Sequence, residues 1–198
     1  MVSKLVRRFS ARPHVLYLDN HVLAVNKPAG MPCCPDSSRD PDVLSTAKKY
    51  LKDRFQKPGN AYLSLVHRLD RPTSGVMILA RTSKAASRIS KSFRERLVKK
   101  QYLAIVRGIL TGSGALQGCV TKRDAKRVYL QNAENDGLGE GLTGNNSKFA
   151  SLQFESIRTF HSEGGQFSLV RVTPETGRKH QIRIQLSEYG FPIVGDIK

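Results

Sequence analysis

The feature that most constrains this chain is a polar loop at residues 67–75, His-Arg-Leu-Asp-Arg-Pro-Thr-Ser-Gly, set between two short apolar runs. Ala61-Tyr-Leu-Ser-Leu-Val precedes it and Val76-Met-Ile-Leu-Ala follows it. Both runs have the aliphatic and aromatic content that suits a pleated, half-buried surface. Strands therefore enter and leave the loop, anchoring it at both ends. Pro72 and Gly75 supply turn geometry, and the hydroxyls of Thr73 and Ser74 can tie the turn to its own backbone. The loop's one carboxylate, Asp70, lies between Arg68 and Arg71 in sequence. Opposite charge nearby favours the ionised form, so Asp70 is expected to stay charged and available as a nucleophile or a base. An arginine–aspartate pair that only fixes a surface turn has the same composition, and the loop alone does not choose between the two readings.

A chain of 198 residues is most simply one domain, large enough to remove about 70% of its unfolded surface from water without a disulfide or metal staple. Its three cysteines, two of them adjacent at Cys33 and Cys34, make a poor disulfide framework and lack zinc-site spacing, which favours a reducing compartment. Thirty-three Lys and Arg against sixteen Asp and Glu give a formal charge of +17, which predicts a polyanionic partner. Charge alone does not separate RNA from DNA or from an anionic membrane. No apolar run approaches the roughly 20 residues needed to span a bilayer, so a soluble protein is expected.

Residues 1–13 carry Lys4, Arg7, Arg8 and Arg12 and no acid, the composition either of a short organelle transit peptide or of a basic arm that touches RNA phosphates. Two apolar runs then meet at Asp19-Asn20-His21, which reads as a hairpin. Residues 43–55 place Val43, Leu44, Ala47, Leu51 and Phe55 near helical spacing. Ser83 is expected to cap a helix running to about Lys99, with Ala86, Ile89, Phe93 and Leu97 as its apolar stripe. Its other side, Lys84, Arg88, Lys91, Arg94 and Lys99, is either a solvated face or part of an RNA track. The run from Gln101 to Gly108 reads as a strand opened by Tyr102, an aromatic that on pattern alone is structural. Residues 112–147 read as an irregular polar insertion. Within them Gly139-Glu-Gly-Leu-Thr-Gly satisfies GxGxxG but lacks the preceding strand and following helix that a pyrophosphate site requires. Residues 149–160 and 166–173 alternate around Glu163-Gly-Gly as an antiparallel pair, and a last helix is expected from Arg178. His67 and His180, without carboxylate or thiolate company, are poor evidence for a metal.

The loop at residues 67–75 resembles the signature of the RluA-type pseudouridine synthases. Three further segments resemble that family in the same order: Asn26-Lys-Pro-Ala-Gly, Lys100-Gln-Tyr-Leu-Ala-Ile-Val-Arg-Gly, and Gly177-Arg-Lys-His-Gln-Ile-Arg-Ile-Gln-Leu followed by Gly190-Phe-Pro-Ile-Val-Gly-Asp. Four motifs in order over residues 14–196 are specific where one would be weak. The resemblance implies a single α+β domain with a mixed, mostly antiparallel sheet, packed helices and a central basic cleft. It implies an RNA pseudouridine synthase acting on rRNA or tRNA, with no cofactor and no metal; a monomer is expected.

By the same resemblance Asp70 is catalytic, Tyr102 stacks on the target base, and Arg183 partners Asp70, with Arg178 the other arginine available for that part. Arg68 supports the flipped nucleotide, and Lys27, Arg178 and Leu186 contact substrate. Asp70 either attacks covalently or removes the 2′ proton to give a glycal. The rival reading is a non-catalytic RNA-binding or RNA-chaperone protein on the same scaffold. Two positions depart from the family: Lys179 stands where a small hydroxyl residue is usual, and Gln185 where His is frequent. The chain also ends at Lys198, where members usually continue, which suggests a truncated catalytic domain over residues 14–198. Cytoplasm is the expected location, or an organelle if the basic start is a leader.

Overall fold

The computed structural model describes residues 13–124, 127–131 and 147–196. The basic arm and the GxGxxG stretch lie outside the described residues, apart from Pro13. Contacts divide the chain into two compact units, Met1–Leu97 and Val98–Lys198, each with its own sheet and core. The α+β class holds, and every strand pairing among the described residues is antiparallel.

In the first unit β1 (His14–Leu18), β2 (Val22–Lys27), β3 (Ser64–Leu65) and β4 (Gly75–Ala80) form a sheet in the order β1-β2-β4-β3. The hairpin turns where the sequence reading placed it. Asp19 accepts the main-chain N–H of His21 (2.7 Å) and of Val22 (2.6 Å), closing the turn with its own carboxylate. Register sets Leu23 opposite Leu79 and Val25 opposite Met77, so all four side chains share one face. That face is covered by α1 (Val43–Arg54) through Val43, Ala47 and Leu51, which with the sheet residues make one core. Asp42 starts α1 by accepting the Ser45 N–H at 2.9 Å.

α2 (Ser83–Arg94) corrects two expectations. Its N-cap is Thr82 rather than Ser83, with the Thr82 hydroxyl accepting from Ala85 N at 3.1 Å. It ends at Arg94, short of the expected Lys99, because Arg96 adopts a left-handed conformation (φ 61°) and the amides of Arg96 and Leu97 turn back to the carbonyls of Phe93 (3.2 Å) and Ser92 (2.9 Å). This is the Schellman stop usually made with glycine, so an arginine hid it. Leu97 consequently leaves the apolar stripe and is 70% exposed.

The second unit is a five-stranded sheet in the order β5-β9-β8-β6-β7, from β5 (Tyr102–Arg107), β6 (Ser113–Asp124), β7 (Arg127–Gln131), β8 (Ser147–Ser162) and β9 (Gly165–Pro174). The β8–β9 hairpin is as expected. β6 and β7 overturn the reading of residues 112–147 as irregular: Leu116, Gly118 and Val120 do alternate inward, but Gly114 and Gly118 depress the strand signal. Gly114 is there for a packing reason. It sits opposite Phe154 in the register, and a Cβ on it would meet the Phe154 ring at 3.0 Å.

The inner face carries Val106, Leu152, Phe154, Val170 and Val172, and α3 (Gln181–Glu188) packs on it through Ile182 and the fully buried Leu186. α3 begins three residues later than expected. Its N-cap His180 is left-handed (φ 57°) and makes no side-chain cap bond, so the start of the helix is fixed by other groups. The segment after it runs along the free edge of β5, with Arg107 N donating to Pro192 O (2.9 Å) and Val194 N to Ile105 O (2.8 Å). That edge is therefore covered rather than open.

Candidate active site

Asp70 lies half-buried in the loop between β3 and β4, and the Thr73 amide donates to its carbonyl at 3.0 Å to make the turn. The main chain on both sides of it is gripped. Before it, the Cys33 thiol donates to Leu69 O at 3.1 Å. After it, Arg71 O accepts from the Lys27 ammonium (3.0 Å) and from Gly30 N (2.7 Å). At the head of the loop, His67 Nε2 accepts the Ile78 amide of β4 at 2.9 Å, which in a neutral ring puts the proton on Nδ1. The same ring stacks on Phe93 of α2, centroids 4.8 Å apart. His67 is thus a structural fastener of the loop.

The structure places Lys27 differently from the expectation of a surface lysine meeting substrate. Its side chain is fully buried, and its ammonium bonds the carbonyls of Pro28 and Arg71, each at 3.0 Å. Burial pushes its pKa below the ordinary lysine value; Cys33 and Asp70 pull the other way, and Arg71 adds to the lowering. Arg71, adjacent to Asp70 in sequence, turns its guanidinium to Asp36 (3.5 Å) and Asp40 and donates through Nε to Gly30 O (3.0 Å). Arg71 therefore serves carboxylates that are distant from it in sequence. Arg68 is exposed.

In the second unit Tyr102 opens β5 opposite Val172 and is partly buried against the core that holds Leu186. Leu186, expected at the substrate, is wholly inside that core. Arg183 on α3 holds Asp196 in a largely buried two-pronged pair, Nε to Oδ2 at 2.6 Å with a second bond from Nη2 to Oδ1. Reasoning from sequence gave Asp196 no role. Its signal was there: an acid following a turn glycine (Gly195, φ 77°) at the end of Phe191-Pro-Ile-Val, the segment that covers the β5 edge.

Arg178 donates through Nε to Phe149 O at 2.8 Å, and its amide reaches Gln181 Oε1 at 3.0 Å. Gln181 also accepts from Thr176 Oγ1 (2.7 Å) and donates to Ser151 O (2.9 Å), a buried neutral network that starts α3 where His180 does not cap it. Gln185 is buried too. Its Nε2 donates to Leu116 O at 2.8 Å, while Oε1 has no hydrogen-bond partner among the described residues.

Two antiparallel sheets, each with its own core and helices, make this an α+β protein, and in the first unit a half-buried aspartate sits on a loop gripped from several sides. Comparison with known proteins gives the family: residues 21–188 match RNA pseudouridylate synthase, and the chain belongs to that family of isomerases, in its RluA-type branch. It is 33% identical over 183 residues to tRNA pseudouridine synthase C of Pasteurella multocida, covering 92% of this chain and 72% of that protein. It is 30% identical to the dual-specificity RNA pseudouridine synthase RluA of Vibrio vulnificus, covering 92% and 67%. Among solved structures, human RNA pseudouridylate synthase domain containing 1 superposes with a TM-score of 0.73 at 25% identity, covering 96% of this chain and 71% of that one. The protein is an RNA pseudouridine synthase.

Proposed function

We propose that this enzyme isomerises a uridine of a structured tRNA or rRNA, with Asp70 as the carboxylate that acts on the nucleoside. The reaction breaks the N1 glycosidic bond and remakes it to C5 of the same base, so no atom enters or leaves and a side-chain carboxylate suffices. Asp70 serves either by attacking the substrate or by removing the 2′ proton. The observation that carries this reading is the gripped main chain on both sides of Asp70 in a chain whose family match covers residues 21–188. A surface turn has no need of a fully buried lysine beneath it.

Tyr102 is assigned to stacking on the detached uracil, since a base outside its own stack gains from an aromatic face, and Arg183 to the catalytic set. Arg68, exposed on the loop, supports the extruded nucleotide, whose flipping costs a few kcal/mol; Arg178 contacts the RNA beside α3. The likeness to a protein named tRNA pseudouridine synthase C favours tRNA as the first substrate to try. Incubation with tRNA and rRNA transcripts followed by pseudouridine mapping tests the reading. The expected result is product from the wild type and a loss of about 10³-fold or more in Asp70→Asn. Equal product from Asp70→Asn would reject the role of Asp70.

A further inference from the structure

We infer that Lys27 and Cys33, together with His67, are positioning residues that set the reach of Asp70, and that Lys27 is not a phosphate ligand. The inference rests on the catalytic role proposed for Asp70 and adds the device that aims it. Each side chain hydrogen-bonds to main-chain atoms, and Lys27 also feels the charge of the Asp70 carboxylate. Cys33 holds the carbonyl of Leu69, one residue before Asp70, and Lys27 holds the carbonyl of Arg71, one residue after. Cys33 thereby holds the Leu69–Asp70 peptide and Lys27 the Arg71–Pro72 peptide, while the Thr73 amide on Asp70 O (3.0 Å) holds the Asp70–Arg71 peptide between them, and together they set the direction of the Asp70 Cα–Cβ bond.

Lys27 is joined in this by Gly30 N on the same Arg71 oxygen and by Arg71 Nε on Gly30 O, so the turn at residues 28–31 and the catalytic loop are laced together. His67 closes the other end through Ile78 and Phe93, in β4 and α2. A lysine that is fully buried has no face to offer a phosphate, and its two carbonyl acceptors already take two of its three donors. The sulfur of Cys33 also lies 3.6 Å from Met77 Sδ inside the core, which fixes its rotamer towards Leu69.

The test compares Lys27→Met, Cys33→Ala and Cys33→Ser with the wild type by kinetics on one RNA transcript, by the salt dependence of RNA binding, and by amide hydrogen exchange. Displacement of a catalytic group by about 1 Å can lower turnover on the order of 10²-fold. The expected result is a kcat lowered roughly 10- to 100-fold in Lys27→Met and Cys33→Ala, KM within about twofold, and recovery in Cys33→Ser, which keeps the donor. The slope of log affinity against log salt stays unchanged in Lys27→Met. Exchange of the Gly30 and Thr73 amides quickens relative to those of Leu23 and Leu79 in the sheet. A slope shallower by about 0.7 to 0.9 with a raised KM would make Lys27 a phosphate ligand and overturn the inference. Unchanged kcat, or unchanged exchange at Gly30 and Thr73, would overturn it as well. If Lys27→Met does not fold, the Cys33 pair decides. If the wild type turns over no RNA, the catalytic reading fails by itself, and the exchange experiment still shows whether these side chains hold the loop.

Discussion

The loop that carries Asp70 and the helix that carries Arg183 are both held by buried polar side chains, but the chemistry of the two supports differs. Under the loop the principal buried group is a charged ammonium, Lys27, whose acceptors are main-chain carbonyls. At the start of α3 the buried groups are neutral, Thr176 and Gln181, and the amide of Gln181 uses its oxygen and its nitrogen at once. A neutral amide satisfies its neighbours with little desolvation. An ammonium makes stronger bonds to its carbonyls but is taken out of water to do so. The loop is thus held more firmly per bond and depends more heavily on a single residue.

That contrast predicts an unequal response to losing each support. Lys27→Ala removes two charge-assisted hydrogen bonds, leaves the Pro28 carbonyl without its lysine donor and opens a cavity; a loss of about 3 kcal/mol is expected, read as a lowered urea midpoint. Gln181→Leu keeps the volume close, strips the Arg178 amide of its acceptor and leaves the Thr176 hydroxyl only the longer bond to Ser151 O (3.5 Å), while Ser151 O still accepts from Glu175 N at 2.9 Å. It is expected to lower stability by about 2 kcal/mol. Equal losses, or a larger loss in Gln181→Leu, would break the comparison.

Much of this was legible in the sequence, and the failures have specific causes. The hairpin at Asp19, the helix from Val43, the β8–β9 pair and the loop at residues 67–75 all carry local signals, because turn residues and periodicity act over a few neighbours. β6 was missed because Gly114 answers to the Phe154 ring on the next strand, a tertiary demand that no window of neighbouring residues contains. The end of α2 was missed because Arg96 takes a conformation usually left to glycine. In the site, the motif residues could be named from sequence but their partners could not: Lys27 meets Arg71 O across 44 positions, and Cys33 meets Leu69 O across 36. Arg71 bonds Asp40 across 31 positions, although Asp70 stands next to it in sequence.

Gln185 sharpens the comparison from the side of the neutral network. It occupies a fully buried position, with Nε2 donating to Leu116 O at 2.8 Å and at the longer distance of 3.5 Å to Ala150 O, and an Oε1 that has no partner among the described residues. A buried acceptor without a donor is unfavourable, so Gln185→Met, similar in volume, loses one short and one long hydrogen bond and relieves one unsatisfied oxygen. The expected change is within about 1 kcal/mol in either direction, well below that of Gln181→Leu. A loss of the same size as for Gln181→Leu would mean that the network is one cooperative unit including Gln185.

The smallest effects are those of pH, and here two groups of the first unit, both with lowered pKa values, each make stability rise with pH, Asp19 in the acid range through a favoured charge and Lys27 in the alkaline range through a disfavoured one. Asp19 is lowered chiefly by the amide of His21, then by that of Val22 and the Tyr17 hydroxyl, all of which favour its charged form. It therefore contributes stability above the ordinary carboxylate range, and the contribution is lost as pH falls through its lowered folded value. Lys27 is lowered by burial, which disfavours its charged form. The unfolded chain then binds more protons than the folded one between the two lysine values, so stability from this residue rises with pH across that window and is complete only above the ordinary lysine value. Urea unfolding of the wild type, Asp19→Asn and Lys27→Met as a function of pH separates the two. The wild type should lose ground to Asp19→Asn only on the acid side, and should gain ground on Lys27→Met only on the alkaline side. An alkaline difference that stays flat would mean that the ammonium under the Asp70 loop is solvated, and the distinction between a charged and a neutral support would fall with it.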